Sequence, residues 1–286
     1  MPSFAVSISI LGLAQAALVA SPAPRRAPWL ERLRSRWLAL VPALSIVVAI
    51  AAVELDAGSA RALSWLALVA VPPLAAAGLG FLVHGARPAW AFAAIPLLAI
   101  AWASRGSLAG EAAAVVLTGT ACVTLAWMLV SVVPAFWLRL GVYGMAVIDT
   151  IYVSADLLQG PNAVLSAAVP GAGLPRLQAV HFGHAQMGFG DLFVAALVGC
   201  LLAARQSADG TRSRHIGAFE SRRQWAGAVL VAVLALAFDL LFFAVDELPA
   251  TVPVAVALAL VTWREGKAGA PLSCSGPTSS GTAAGR

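Results

Sequence analysis

The sequence predicts an all-α, polytopic membrane helix bundle of about nine transmembrane helices, and three observations carry that prediction. Of 286 residues, 60% are hydrophobic and only 11% are charged, far from the roughly 25% charged residues of a soluble domain. Apolar runs of about 17 to 22 residues recur along the chain, close to the ~20 that a helix needs to cross a ~30 Å hydrocarbon core. None has the strict alternation of a barrel strand. The net charge of +5 is almost all arginine in short connecting loops, which orients a membrane protein and offers no nucleic-acid module. Cys122, Cys200 and Cys274 stand far apart with no Cys-x-x-Cys pair, so neither a disulfide framework nor a zinc site is indicated, and no cofactor is expected.

The first apolar run, Phe4 to Ala20, has no basic residues before it and reads as a retained helix. Val19-Ala20-Ser21 offers small residues for cleavage, so a signal peptide is the alternative. A basic loop with Arg25, Arg26, Arg32, Arg34 and Arg36 leads to span two, Trp37 to Val53. Span three, Ala62 to Val83, holds Pro72-Pro73, which kink a membrane helix whose freed carbonyls find other donors. Span four is short, Trp90 to Ala103; span five runs from Ala112 to Val133 and span six from Phe136 to Val153. The longest connection, Ser154 to Gln186, is rich in Gly and Pro and could hold a short interfacial segment. Span seven starts near Met187, span eight covers Trp225 to about Val245, and span nine follows Pro249 and continues to Trp263. Residues 1–135 thus carry spans one to five and residues 136–263 spans six to nine. The tail 264–286, rich in Gly, Ser, Ala and Thr, has too little apolar content to fold. Tryptophans 29, 37, 90, 102, 137, 225 and 263 fall near span ends, as interface anchors do.

Two acids interrupt the apolar runs near the same face. Asp149 lies about four residues before the exit of span six and Asp191 about four after the entry of span seven, so at ~1.5 Å per residue both sit roughly 6 Å below that face. A carboxyl in hydrocarbon is costly enough to require a reason. Gly188 and Gly190, just before Asp191, permit close helix approach or a local break in regularity. A third acid, Asp239, falls mid-way along span eight and reads as an accessory that bonds a neighbouring helix or lines a water path.

Two membrane aspartates on consecutive spans, the second in Gly188-Phe189-Gly190-Asp191, resemble the intramembrane aspartyl proteases, namely the presenilin and signal peptide peptidase families and, more distantly, the prepilin peptidases. Pro249-Ala250-Thr251 resembles the Pro-Ala-Leu motif that those families carry beside the catalytic pair, with Thr251 in place of leucine. Ile148 precedes Asp149 where the families usually have tyrosine; Tyr143 and Tyr152 lie nearby. The likeness covers roughly Phe136 to Trp263. It implies an aspartic endopeptidase with Asp149 and Asp191 catalytic and with Gly188, Gly190, Pro249 and Ala250 shaping the substrate cleft. Its substrates would be transmembrane helices or remnant signal peptides within membrane lipid. The prepilin branch fits less well, because Leu192-Phe193-Val194 follows the motif where a basic residue is expected.

The chemistry agrees with the residue types. Two carboxyls brought together in a poorly solvated place cannot both ionise easily, so the pair holds one shared proton. The ionised member takes a proton from water while the protonated one donates to the scissile carbonyl. The rival reading is a transporter or channel in which Asp149, Asp191 and Asp239 relay protons or bind a cation. His181 and His184, with Asp156 or Gln186, lack the further ligands of a metal site and read as a polar interfacial segment.

Counting arginine and lysine in short loops gives a clean alternation. The loops after spans one, three and seven and the Arg264/Lys267 tail are basic, which places the N-terminus outside and the C-terminus in the cytoplasm of a plasma or inner membrane. In single-cysteine variants of intact cells, an impermeant thiol reagent should therefore label the Ser154 to Gln186 connection and spare the Arg205 to Arg223 loop. The reverse pattern would overturn the orientation.

Overall fold

The computed structural model describes residues 2–25, 28–41, 44, 48, 51–52, 57–155, 164, 168, 170–171, 173–208, 217–243 and 249–268. Most of the expected second span, the acids Glu54, Asp56, Asp156, Asp209, Asp246 and Glu247, Cys274 and the tail beyond 268 lie outside them. The described chain is mostly helical: α1 (Phe4–Ala20), α2 (Ala57–Ala77), α3 (Ala94–Ala103), α4 (Leu108–Val132), α5 (Ala135–Ser154), α6 (Phe189–Ala208), α7 (Gly217–Asp239) and α8 (Thr251–Ala268). By length and composition, three stretches among the described residues can cross a membrane: Gly58–Leu82, Leu108–Val132 and Ala135–Ser154. Shorter apolar helices accompany them, Phe4–Ala20, Pro88–Ala103, Phe189–Ala204 and Thr251–Trp263.

Local chemistry marks the helix ends. Ser3 caps α1 by accepting from the Val6 amide, and Ser107 caps α4 by accepting from Gly110, each satisfying an amide that has no partner in the first turn. Pro134 ends α4 and stands at the head of α5. Past Pro72 and Pro73, α2 loosens into a π-turn at Gly78–Leu82. The Leu74 carbonyl, just past the two prolines, accepts the hydroxyl of Thr124 on α4 at 2.7 Å, which ties α2 to α4.

The all-α expectation has one exception, and it lies in the long connection. Residues Ala179–Phe182 (β1) and Ala185–Gly188 (β2) pair antiparallel, with Val180 opposite Met187 and His181 opposite Gln186. The turn uses Gly183 at φ +59, a conformation that favours glycine in tight hairpins. Glu111 on α4 accepts the Gly183 amide at 2.7 Å, and Ser7 on α1 accepts the His184 amide at 3.3 Å. Val180, Ala185 and Met187 are buried. The hairpin is therefore docked into the bundle against α1 and α4.

Helix α1 is the axis of the assembly. It packs against α7, α6 and the hairpin, with Leu11, Val19 and Ser7 fully buried. A side chain at Gly199 of α6 would run into the carbonyls of Val19 and Leu18 at 2.6 and 2.8 Å, and one at Gly12 would meet Ala235 of α7 at 3.1 Å. At the far end of α1, Gln224 of α7 donates to the carbonyls of Val19 (3.0 Å) and Pro22 (2.9 Å) and bonds His84. Helix α4 packs on α6, α2 and α3, while α5 lies outermost, against α8 and the turn Arg36–Ala39.

Some boundaries differ from the sequence reading. Helix α7 begins at Gly217 rather than Trp225, because hydropathy marks only the apolar part of a helix and Glu, Arg and Gln continue it readily. Asp239 is the last α-helical residue of α7, and the chain continues from it as a 3-10 turn over Leu240–Phe243. Helix α8 likewise runs to Ala268, so residues 264–268 belong to a helix and not to the tail.

Replacing Gly199 by alanine should force α1 and α6 apart where their backbones touch. The expected loss is about 1–3 kcal/mol, seen as a lowered unfolding midpoint in detergent. Gly141→Ala, at a position with open space around it, is the matched control; equal midpoints for the two would contradict this packing.

Candidate active site

The predicted residues gather where the hairpin ends and α6 and α8 begin. Strand β2 stops at Gly188 and α6 starts at Phe189, so Gly188-Phe189-Gly190-Asp191 is the switch from strand to helix. Asp191 sits in the first turn of α6 and its carboxylate accepts the Gly188 amide at 3.1 Å, the reach-back of an acid at the third helical position. The close helix approach expected at the two glycines does not occur. A side chain at Gly190 would meet nothing, and one at Gly188 would meet chiefly the Asp191 carboxylate. The break in regularity is the feature realised there, and close helix approaches fall at other glycines, Gly78 and Gly199 among them.

Asp149 lies near the C-terminal end of α5, and its carboxylate accepts the Thr251 hydroxyl at 2.6 Å and the Thr251 amide. This short contact joins α5 to the head of α8 and sets Pro249-Ala250 beside the acid. Pro249 and Thr251 are buried, and Ala250 is partly so. Asp149 and Asp191 are both half-buried, and the charge of Asp149 acts on Asp191. Two acids from different helices thus share one electrostatic environment.

Gln15 of α1 was not singled out by the sequence. It is 1% exposed, and its amide nitrogen donates to the main-chain carbonyls of Asp191 (3.5 Å) and Ala250 (3.4 Å). One polar residue in a strongly apolar helix was the available signal. Thr251, which stands where the resembling families have leucine, is through its hydroxyl the direct partner of Asp149.

Asp239 stands apart. Its carboxylate accepts the Ser9 hydroxyl at 3.1 Å, tying the end of α7 to α1. Among the described residues no group of three or more His, Cys, Asp or Glu is placed to hold a metal ion. His181 is held below its usual range by burial in the hairpin and by the charge of Arg176, partly offset by Glu111. Cys122 and Cys200 are buried in the core. No family model, curated protein or solved structure matches this chain.

Removing the Thr251 hydroxyl takes a charge-assisted partner from Asp149. Thr251→Val, which keeps the volume, should cost about 1.5–3 kcal/mol of stability, and Thr251→Ser should recover most of it. Unfolding midpoints in detergent would check this; a valine variant as stable as wild type would show that the bond contributes little.

Proposed function

We propose that this protein is an intramembrane aspartyl protease, hydrolysing peptide bonds within transmembrane helices or remnant signal peptides. The observation that carries the reading is the convergence of Asp149, Asp191 and Pro249-Ala250-Thr251 on one place, although these residues come from three separate segments of the chain. The remainder of the proposal is a nine-span topology with the site near the outer face and the C-terminus in the cytoplasm.

The mechanism follows from a pair that holds one proton. The ionised carboxylate removes a proton from a water, whose oxygen attacks the scissile carbonyl while the protonated carboxyl donates to the carbonyl oxygen. Collapse of the tetrahedral adduct returns that proton to the pair. The C–N bond breaks as the leaving nitrogen takes up a proton, releasing an amine and a carboxyl end. A helical substrate shields its carbonyls by internal hydrogen bonds, so it must unwind locally, and helix-breaking residues in the substrate should favour cleavage. The open space over Gly190 and the strand-to-helix switch at Gly188 offer room for an unwound segment beside Asp191. Thr251 holds one oxygen of Asp149, and the Gly188 amide holds one oxygen of Asp191.

A relay through three acids receives less support, because Asp239 is bonded to Ser9 and, unlike Asp149, is not among the groups whose charge acts on Asp191. The test uses purified full-length protein in vesicles with a reporter transmembrane helix. Asp149→Asn and Asp191→Asn should each abolish cleavage and the double variant should add nothing, since neither survivor can both accept and donate the proton. Asp239→Asn should retain most activity. Absence of cleavage together with an Asp239-dependent proton or ion flux would replace the protease reading by the transporter.

A further inference from the structure

We infer that Gln15, on the first helix, is a positioning residue that sets the separation of the two aspartates. The inference rests on the proteolytic reading of the site and adds to it a component from α1, a helix outside the stretch that resembles the protease families.

The geometry forms a continuous chain. One hydrogen-bonding arm of the Gln15 amide reaches the carbonyl of Asp191, at the head of α6, and the other reaches the carbonyl of Ala250, just before α8. The Ala250 carbonyl belongs to the same peptide group as the Thr251 amide, which donates to Asp149. The Thr251 hydroxyl makes a second bond to that carboxylate at 2.6 Å. The two acids are therefore linked through a single side-chain amide and a single peptide group. Their own helices, α5 and α6, are not principal packing partners of each other, for α5 lies against α8 and α6 against α4 and α1. The peptide chain between the acids passes through the long connection and the hairpin, so it does not hold them at a short fixed distance.

Burial sharpens the argument. Gln15 is 1% exposed on a face of α1 whose other buried residues include Leu11, Leu18 and Val19, where a leucine of similar volume would avoid the cost of desolvating an amide. An amide presents two hydrogens in one plane, which suits it to bridging two carbonyls from different segments. Another buried glutamine, Gln224, makes a similar bridge one to two turns further along α1, but its bonds go to Val19, Pro22 and His84 and to neither of the segments that Gln15 joins. Gln224 is thus a matched control, a buried glutamine that holds the bundle without touching the site.

The experiment compares wild type, Asp191→Ala, Gln15→Leu, Gln15→Glu and Gln224→Leu in vesicles with the reporter helix, counting working sites by titration with a tight-binding hydroxyl-containing peptide inhibitor. Displacement of reacting groups by about 1 Å costs on the order of 100-fold in rate. Gln15→Leu should accordingly lower kcat per titrated site by about 10- to 100-fold with KM nearly unchanged. Gln15→Glu, which when protonated offers one hydrogen instead of two, should fall between. Gln224→Leu should keep the wild-type kcat per site even if fewer sites remain. A Gln15→Leu enzyme with normal kcat per titrated site would overturn the inference and leave Gln15 as a packing residue. If wild type and Asp191→Ala are equally inactive, the proteolytic reading itself fails. The positioning claim is then read from disulfide formation between Gly190→Cys and Ala250→Cys in a chain otherwise lacking cysteine. Oxidation should slow by about 10-fold or more when Gln15→Leu is added, if loss of the bridge displaces the segments as in the kinetic arm; an unchanged rate would refute it.

Discussion

Within hydrocarbon an aliphatic side chain gains little by leaving lipid for a neighbouring helix, so a bundle is held by close backbone approach and by hydrogen bonds. In this protein many of both fall on α1. Gly199 lets the backbone of α6 touch the end of α1, Gly12 lets α1 approach α7, and a side chain at Gly119 of α4 would meet Leu18 at 3.0 Å. Gln224, Gln15, Ser9 and Ser7 supply bonds from α1 to α7, α6, the head of α8 and the hairpin. A helix bonded along its length to so many partners is part of the core, and removing it would strip each of them of a contact.

The same economy governs the polar groups. Thr124 serves a carbonyl beside the proline kink of α2, Gln224 serves the end of α1, and Glu111 holds the turn of the hairpin. Each bonds a main-chain group of another segment and so ties two elements of the bundle together. The acids at the candidate site obey a different logic. Asp149 and Asp191 each accept a main-chain amide, yet neither faces a cation among the interactions described. Structural acids are usually neutralised or placed at a surface; two that act on each other are expensive to maintain.

The hairpin links the two themes. It is anchored by α1 and α4 and runs without a break into the first turn of α6, so the position of Asp191 depends on how well the hairpin is docked. Asp149 depends on α8, which among the described elements is the main packing partner of α5. The site is consequently built from the ends of elements rather than from their middles, where side chains can move without dismantling the bundle.

Much of this was legible in the residues themselves. Hydropathy located the apolar helices, since the length needed to cross hydrocarbon is set by the bilayer. The cost of a buried carboxyl singled out Asp149, Asp191 and Asp239, while Pro249 and Ala250 were marked by their resemblance to the Pro-Ala-Leu motif. The strand pairing was not legible, because a four-residue strand has no periodicity that distinguishes it from a loop. Nor were the roles of Gln15 and Thr251, whose partners lie 176, 235 and 102 residues away. Sequence alone determined which groups are costly in a membrane, as solvation depends on residue type and neighbouring hydropathy. Tertiary structure alone decided which of those groups meet, because a hydrogen bond requires atoms within about 3.5 Å, and only packing of distant segments around α1 brings them that close.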